Sequence, residues 1–167
     1  MSSRYRRVLV CTAALVVAAV APHTLIGQGV SGADADVMKV VNRLFEGMRK
    51  GDSAMVRSVF HPQLRMISAA KGRDGKLHLE VETSADNFLR AVGAPHTAAW
   101  NERISNEKIH IDGPLASVWA DYTFHAGEKF SHCGIDHFLL AADDAGVWKI
   151  IELSDTRRTE GCNQGTH

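Results

Sequence analysis

The sequence predicts an α+β domain, with three helices gathered early and packed on one face of a strongly curved antiparallel sheet. Three observations predict it. Apolar residues recur at helical spacing from Asp34 onward, and strand-like runs dominate after Trp100. Short turns separate the later runs, which makes successive strands antiparallel neighbours. The 167 residues, 45% of them hydrophobic, suffice for one domain with a stable core, and a charged fraction of 23% excludes disorder.

Val37, Val40, Val41, Leu44, Phe45 and Met48 form the apolar stripe of the first helix. Asp34 or Asp36 can cap its start, and Gly51 after Arg49 and Lys50 stops it. Gly47 lies inside this helix, where glycine costs about 1 kcal/mol relative to alanine. A second, short helix starts at Asp52 or Ser53, buries Met55, Val56, Val59 and Phe60, and ends near His61 because Pro62 follows. Leu64–Ala70 and Leu77–Val81 read as strands around a turn-rich connection, residues 71–76. Thr83 or Ser84 opens a third helix with Phe88, Leu89 and Val92, closed by Gly93 and Pro95. Ile109 and Ile111 alternate in the next strand. Leu115–His125, Lys129–Ala142 and Val147–Thr156 follow, joined at Ala126-Gly127 and at residues 143–146.

The first thirty residues stand apart. Arg4, Arg6 and Arg7 precede an almost wholly apolar run of fourteen residues, Val8 to Ala21. This is the pattern of a secretory signal peptide, and the run is shorter than the roughly 20 residues that span a bilayer. The expected organisation is a cleaved signal and short linker over 1–30, a domain over 34–160 and a tail over 161–167. Cleavage after Gly27 or after Ala33 leaves a small residue at the cut. The processed chain is then secreted or periplasmic and touches a membrane only through the signal before cleavage. Basic residues fall from 19 to 16 while all 19 acids stay, so the net charge is near −3. That balance offers no basic footprint for nucleic acid. Cys133 and Cys162 would reach an oxidising compartment, where disulfides persist.

The segments Phe45-Glu46-Gly47-Met48-Arg49-Lys50-Gly51-Asp52, Phe60-His61-Pro62, Tyr122-Thr123-Phe124, Ser131 to Phe138, and Trp148-Lys149-Ile150 running into Asp155 to Arg158 have a familiar order and spacing. On these pieces the stretch from Asp36 to Cys162 resembles the nuclear transport factor 2-like superfamily, most closely its putative lumazine-binding branch, with the fold also found in SnoaL and ketosteroid isomerase. The resemblance implies a cone-shaped α+β barrel with a pocket. It implies no single activity, because the superfamily includes isomerases, dehydratases, cyclases, binding proteins and transport factors.

Hairpin register assigns side chains to faces. A two-residue turn at Ala126-Gly127 places Asp121 opposite His132 and Ser117 opposite Asp136. A four-residue turn over 143–146 places Asp155 opposite Gly134 and Arg157 opposite His132. One face then collects Trp119, Asp121, His132, Asp136, Phe138, Asp155 and Arg157. His132 with Asp121 or Asp136 is the candidate catalytic pair, because a carboxylate can orient the ring of a histidine base. The competing interpretation is an outward surface with ordinary cross-strand ion pairs. The other face collects Tyr122, Phe124, His137 and Glu152 among apolar neighbours, and these four are candidate ligand contacts. A slip of one residue would exchange the faces. His61 beside Pro62 is either a helix end or a pocket residue, and Trp100 with Arg103 suits an aromatic or anionic ligand.

In this register position 133 opposes 156, six residues short of Cys162. The tail must fold back before the two Cα atoms come within about 7 Å, so a Cys133–Cys162 disulfide stays open. HExxH, CxxC and GxxxxGK[ST] patterns are missing from the sequence, so no metal, nucleotide or other cofactor is expected. The leading expectation is an exported protein that binds a small apolar or aromatic molecule. The alternatives are a cofactor-free isomerase, dehydratase or cyclase, and a dimerising interaction module with a filled interior. A homodimer is compatible with all three. An open cavity, and what points into it, separates them.

Overall fold

The computed structural model describes residues 32–72 and 74–162. The expected signal segment, residues 1–30, and most of the expected tail lie outside the described residues. Helix α1 spans Gly32–Lys50 and α2 spans Ser53–Val59. Strands β1 (Phe60–Lys71) and β2 (Leu77–Glu82) precede α3 (Asp86–Gly93), and β3 (Trp100–Asp112), β4 (Leu115–Ala126), β5 (Lys129–Ala142) and β6 (Trp148–Arg157) follow it.

Helix α1 buries Val37, Val41, Leu44, Phe45 and Met48, the i, i+3, i+4 stripe of an amphipathic helix. It stops where Gly51 N–H donates to the Met48 carbonyl and Asp52 N–H to the Gly47 carbonyl, the paired bonds of a Schellman end. The Asp52 carboxylate then caps α2 by accepting from Met55 N–H at 2.8 Å. Gly47 has a packing reason. A Cβ there would meet Val56 Cγ2 at 2.7 Å and Val56 N at 3.1 Å, so the missing side chain lets α2 approach α1.

All six strands form one sheet in the order β2-β1-β6-β5-β4-β3. The sheet is mixed, which corrects the expectation of an antiparallel one: β1 and β6 run parallel. Turns set the direction of every hairpin-linked pair, but β1 and β6 are joined only through the whole intervening chain. A parallel pair needs such a long crossover. The third helix also follows β1 and β2 and is not N-terminal to the sheet. Register breaks at Phe60/Arg65, Ser105/Lys108, Phe124/His125 and Leu139/Leu140 bend the strands, and Pro62 sits at the first, where a ladder donor is dispensable. The helices cover one face of the curved sheet. Phe45 of α1 meets Phe138 of β5 edge-on, with ring centroids 6.0 Å apart, at the centre of the core.

The bulge near the β4–β5 turn decides which side chains share a face. The turn is Gly127-Glu128, so Ala126 pairs with Lys129, and one extra residue in β5 then brings His132 opposite Phe124 and Asp136 opposite Ala120. Moving the turn alone preserves facing, because paired positions change by two. The single-residue bulge exchanges it. Asp121 therefore opposes Ile135, not His132, and Ser117 opposes Leu139. The β5–β6 pairing is displaced by one at its turn, where Ala142 meets Trp148, and by one more at the Leu139/Leu140 break, an even total that keeps Asp136, Phe138 and Asp155 on one face.

Candidate functional site

Between the helices and the sheet lies a cavity of about 470 Å³. Its apolar wall is built by Leu44, Phe45 and Met48 of α1, Phe88 of α3, and Trp100, Phe124 and Phe138 of the strands. The polar wall runs along β3, β4, β5 and β6: Glu102, Tyr122, His132, Asp136, Asp155 and Arg157. Ser68 of β1, Asn87 of α3, and Glu80 and Glu82 of β2 add polar groups to the lining. On β2 the alternation is inverted relative to a core strand. Its carboxylates face the cavity, while Leu77, Leu79 and Val81 are 72%, 64% and 50% exposed.

Among the described residues Asp136 is the one carboxyl side chain buried in the core, only 3% exposed. Its carboxyl group hydrogen-bonds with that of Glu102 across the intervening strand β4. Two carboxyls can make such a bond only over a shared proton. Burial, the Glu102 charge and donation of this bond push the Asp136 carboxyl well above the usual carboxylate range, so Asp136 holds the proton. Burial also lifts Glu102, to about 7, against the lowering effect of the bond it accepts from Asp136. Oδ2 of Asp136 receives no N–H or hydroxyl donor from the described residues.

The neighbouring polar groups form a second assembly. Arg157 Nε donates to Asp155 Oδ2 at 2.6 Å. The Tyr122 hydroxyl donates to the Thr156 carbonyl at 3.0 Å and lies 3.4 Å from Asp155 Oδ2. Burial, and then the Asp155 charge, raise the Tyr122 hydroxyl above its ordinary value, so it stays a neutral donor. His132 stacks on Phe124 with centroids 5.0 Å apart and meets Tyr122 edge-on. Burial, with help from Arg157, lowers its pKa against the pull of Asp155, so the ring is neutral at pH 7.

Gly134 makes this crowding possible. A Cβ at Gly134 would fall 1.7 Å from the Thr156 carbonyl oxygen and 2.7 Å from Tyr122 Cε1. Just beyond, Cys133 pairs with Arg158 in an isolated bridge, and the tail turns back to place Cys162 in a disulfide with Cys133, their Cα atoms 5.9 Å apart. Residue 133 thus faces 158 rather than 156, which shortens the distance along the chain that the return must cover.

The structure brings His132, Asp136, Trp100, Tyr122 and Phe124 to the cavity and sends the other sequence candidates elsewhere. Asp121 points to the outer face, where its carboxylate accepts from Asn106 Nδ2 at 2.8 Å. His132 and Asp136 share a face but lie four residues apart on one strand, about 13 Å at the Cα atoms. The carboxylate whose charge acts on His132 is Asp155. His137 is on the outer face, 3.0 Å from Ser117 Oγ, and Glu152 is there with Arg65 at 3.9 Å. Arg103 is exposed on the outer side of β3. His61 stays at the start of β1, where its Nδ1 accepts from Gln63 N–H at 3.1 Å. Glu102 and the two glutamates of β2 were missed. The signal for Glu102 was its even spacing from Trp100 in a strand, which puts both on one face.

The family model described as putative lumazine-binding matches residues 33–153. Among solved structures the chain is similar to a nuclear transport factor 2-like superfamily protein from Salmonella enterica serovar Typhimurium, at 18% identity over 83% of this chain and 100% of that one, with a TM-score of 0.61. It is similar at 20% identity to a protein from Shewanella frigidimarina described as a putative ketosteroid isomerase, over 74% and 97% of the two chains, with a TM-score of 0.55. A nuclear transport factor 2-like protein of unknown function from Shewanella baltica matches at 18% identity over 75% and 94%, also with a TM-score of 0.55. No curated protein matches the chain. These likenesses establish the fold. The match over residues 33–153 places the chain in the putative lumazine-binding family of the nuclear transport factor 2-like superfamily.

Proposed function

We propose that this chain is a small-molecule-binding protein whose ligand sits in the cone between helices and sheet. One observation carries the reading: a cavity of about 470 Å³, within the usual size of ligand pockets, that is aromatic on one side and polar on the other. The family's lumazine-binding description supports a small organic ligand of this shape. Native mass spectrometry of the purified protein is the direct test. One organic molecule per chain is expected, or one equivalent of a bound neutral dye such as N-phenyl-1-naphthylamine if the ligand is lost on purification. Ala91→Trp extends a side chain from α3 into the cavity and should abolish that binding while circular dichroism is unchanged. Equal binding by this variant would sink the reading.

A second reading is favoured by the Glu102–Asp136 pair, namely proton transfer on a bound substrate. A carboxylate with a pKa near 7 suits a general base, and a protonated carboxyl beside it suits an acid. This replaces the expected pair of His132 with Asp121, which the bulge in β5 separates. Deuterium exchange at the α-carbon of 2-tetralone, followed by NMR, tests it. Catalysed exchange should fall at least about a hundredfold in Glu102→Gln, in line with the usual worth of a general base. An unchanged rate in that variant removes the pair from any such reaction.

Export is part of the same proposal. It rests on the basic start and apolar run of residues 1–30, with the Cys133–Cys162 disulfide in support of an oxidising compartment. Leu77, Leu79 and Val81, exposed together on β2, support a homodimer that would cover them.

A further inference from the structure

The cavity wall carries five carboxyl side chains, Glu80, Glu82, Glu102, Asp136 and Asp155, against a single arginine among the described residues, Arg157. We propose that the ligand is an organic cation, a primary or secondary ammonium group on an aromatic or apolar body. The proposal deepens the ligand-binding reading above and depends on it.

Three independent features point the same way. First, the positive charge in the wall is already engaged. Arg157 is tied to Asp155 at 2.6 Å, and His132 is held neutral by burial, so an anionic guest would meet uncompensated carboxylates. Second, Asp136 lies deep in the wall, 3% exposed, with Oδ2 lacking an N–H or hydroxyl donor among the described residues. Its carboxyl is bonded to that of Glu102, and an ammonium N–H can take the place of the proton that the two share. Third, Trp100, Tyr122 and Phe124 line the same space, with Trp100 and Phe124 5.9 Å apart at their centroids. Aromatic faces attract a desolvated cation and also bury its apolar body. The inverted β2 strand adds Glu80 and Glu82 beside Ser68 and Asn87, so negative charge extends beyond the Glu102–Asp136 pair. Among the described residues no three His, Cys, Asp or Glu groups converge as metal ligands do, so the charge is spread along a wall the length of an organic molecule.

Binding should also move a proton. The groups that face the Glu102–Asp136 pair are Tyr122 from β4, His132 from β5, Asp155 and Arg157 from β6, and Glu80 and Glu82 from β2. Among the described residues neither β1 nor the helices contribute a titratable group to the wall. An ammonium group arriving there favours the fully ionised pair, so the shared proton leaves as the cation enters.

Isothermal titration of the full chain at pH 6.5 with three probes of one shape tests the proposal: 2-phenylethylamine, 2-phenylethanol and 3-phenylpropanoate. The amine should bind at least about tenfold more tightly than the other two, the ratio expected from one charge-assisted hydrogen bond. Runs in phosphate and in ACES buffer, whose ionisation heats differ, should show net proton release with the amine alone. Asp136→Asn should weaken the amine about tenfold and leave the alcohol unchanged. The double variant Glu80→Gln, Glu82→Gln, on the more accessible β2, should weaken the amine in the same direction if Asp136→Asn fails to fold. Equal or tighter binding of the alcohol or the propanoate overturns the cation and leaves the binding protein standing. Binding of none of the three, together with no bound dye, overturns both.

Discussion

Gly134→Ala is expected to destabilise the domain by about 3 kcal/mol or more, the upper end of overpacking effects, although it adds a single methyl group. That methyl would have to occupy space 1.7 Å from the Thr156 carbonyl oxygen, and backbone cannot swing aside as a flexible side chain can. To make room, β6 must move away from β5. The movement would break the Tyr122–Thr156 hydrogen bond and shift Asp155 and Arg157 from the cavity wall. It would also strain the Cys133–Arg158 bridge next to the disulfide. Chemical denaturation should show the loss of stability, and ligand or dye binding should weaken together with it. A variant as stable as the parent would mean that β6 does not approach β5 this closely.

The stability of the parent chain is expected to fall as pH rises from 5 to 8, by on the order of 2–3 kcal/mol, since each tenfold difference in proton affinity between folded and unfolded chain is worth about 1.4 kcal/mol. Glu102 and Asp136 both have folded-state pKa values above their unfolded ones, Glu102 at about 7. The folded chain therefore holds more protons than the unfolded chain in this window. The stabilisation is complete below the unfolded carboxylate pKa, about 4, and is lost as pH climbs through about 7. Asp136→Asn offers an amide N–H to Glu102 in place of the shared proton and cannot titrate. Its urea midpoint should vary much less over the same range, and at pH 8 it should equal or exceed that of the parent. A flat parental profile between pH 5 and 8 would show that the two carboxyls do not share a proton. His132 does not mimic this effect. Its lowered pKa makes folding less favourable at acid pH and more favourable as pH rises, the opposite slope.

Most of the fold was legible because it is local. The α1 stripe, the start of α2 at Asp52 or Ser53 and the turn at Gly113 each depend on a few neighbouring residues and hold in the structure, while the turn near Gly127 forms one residue later than expected. The parallel pairing of β1 with β6 was not legible, since no turn joins these strands and periodicity carries no direction. The site was legible only in part for a related reason. Side chains in a strand alternate, so a single extra residue near Ser131 moved His132 and Asp136 from the side of Asp121 to that of Tyr122 and Phe124. On β5 and β6 the even displacement preserved the grouping of Asp136 with Asp155.

By itself the amino-acid sequence determined the α+β class, the order of the elements, the family resemblance and the residue types available for chemistry, because these follow from short-range periodicity, turns and composition. Only the tertiary structure decided that Glu102 meets Asp136, that β2 turns its glutamates inward and that the tail returns Cys162 to Cys133. Each of those depends on contacts between distant segments, whose register a bulge of one residue can reverse.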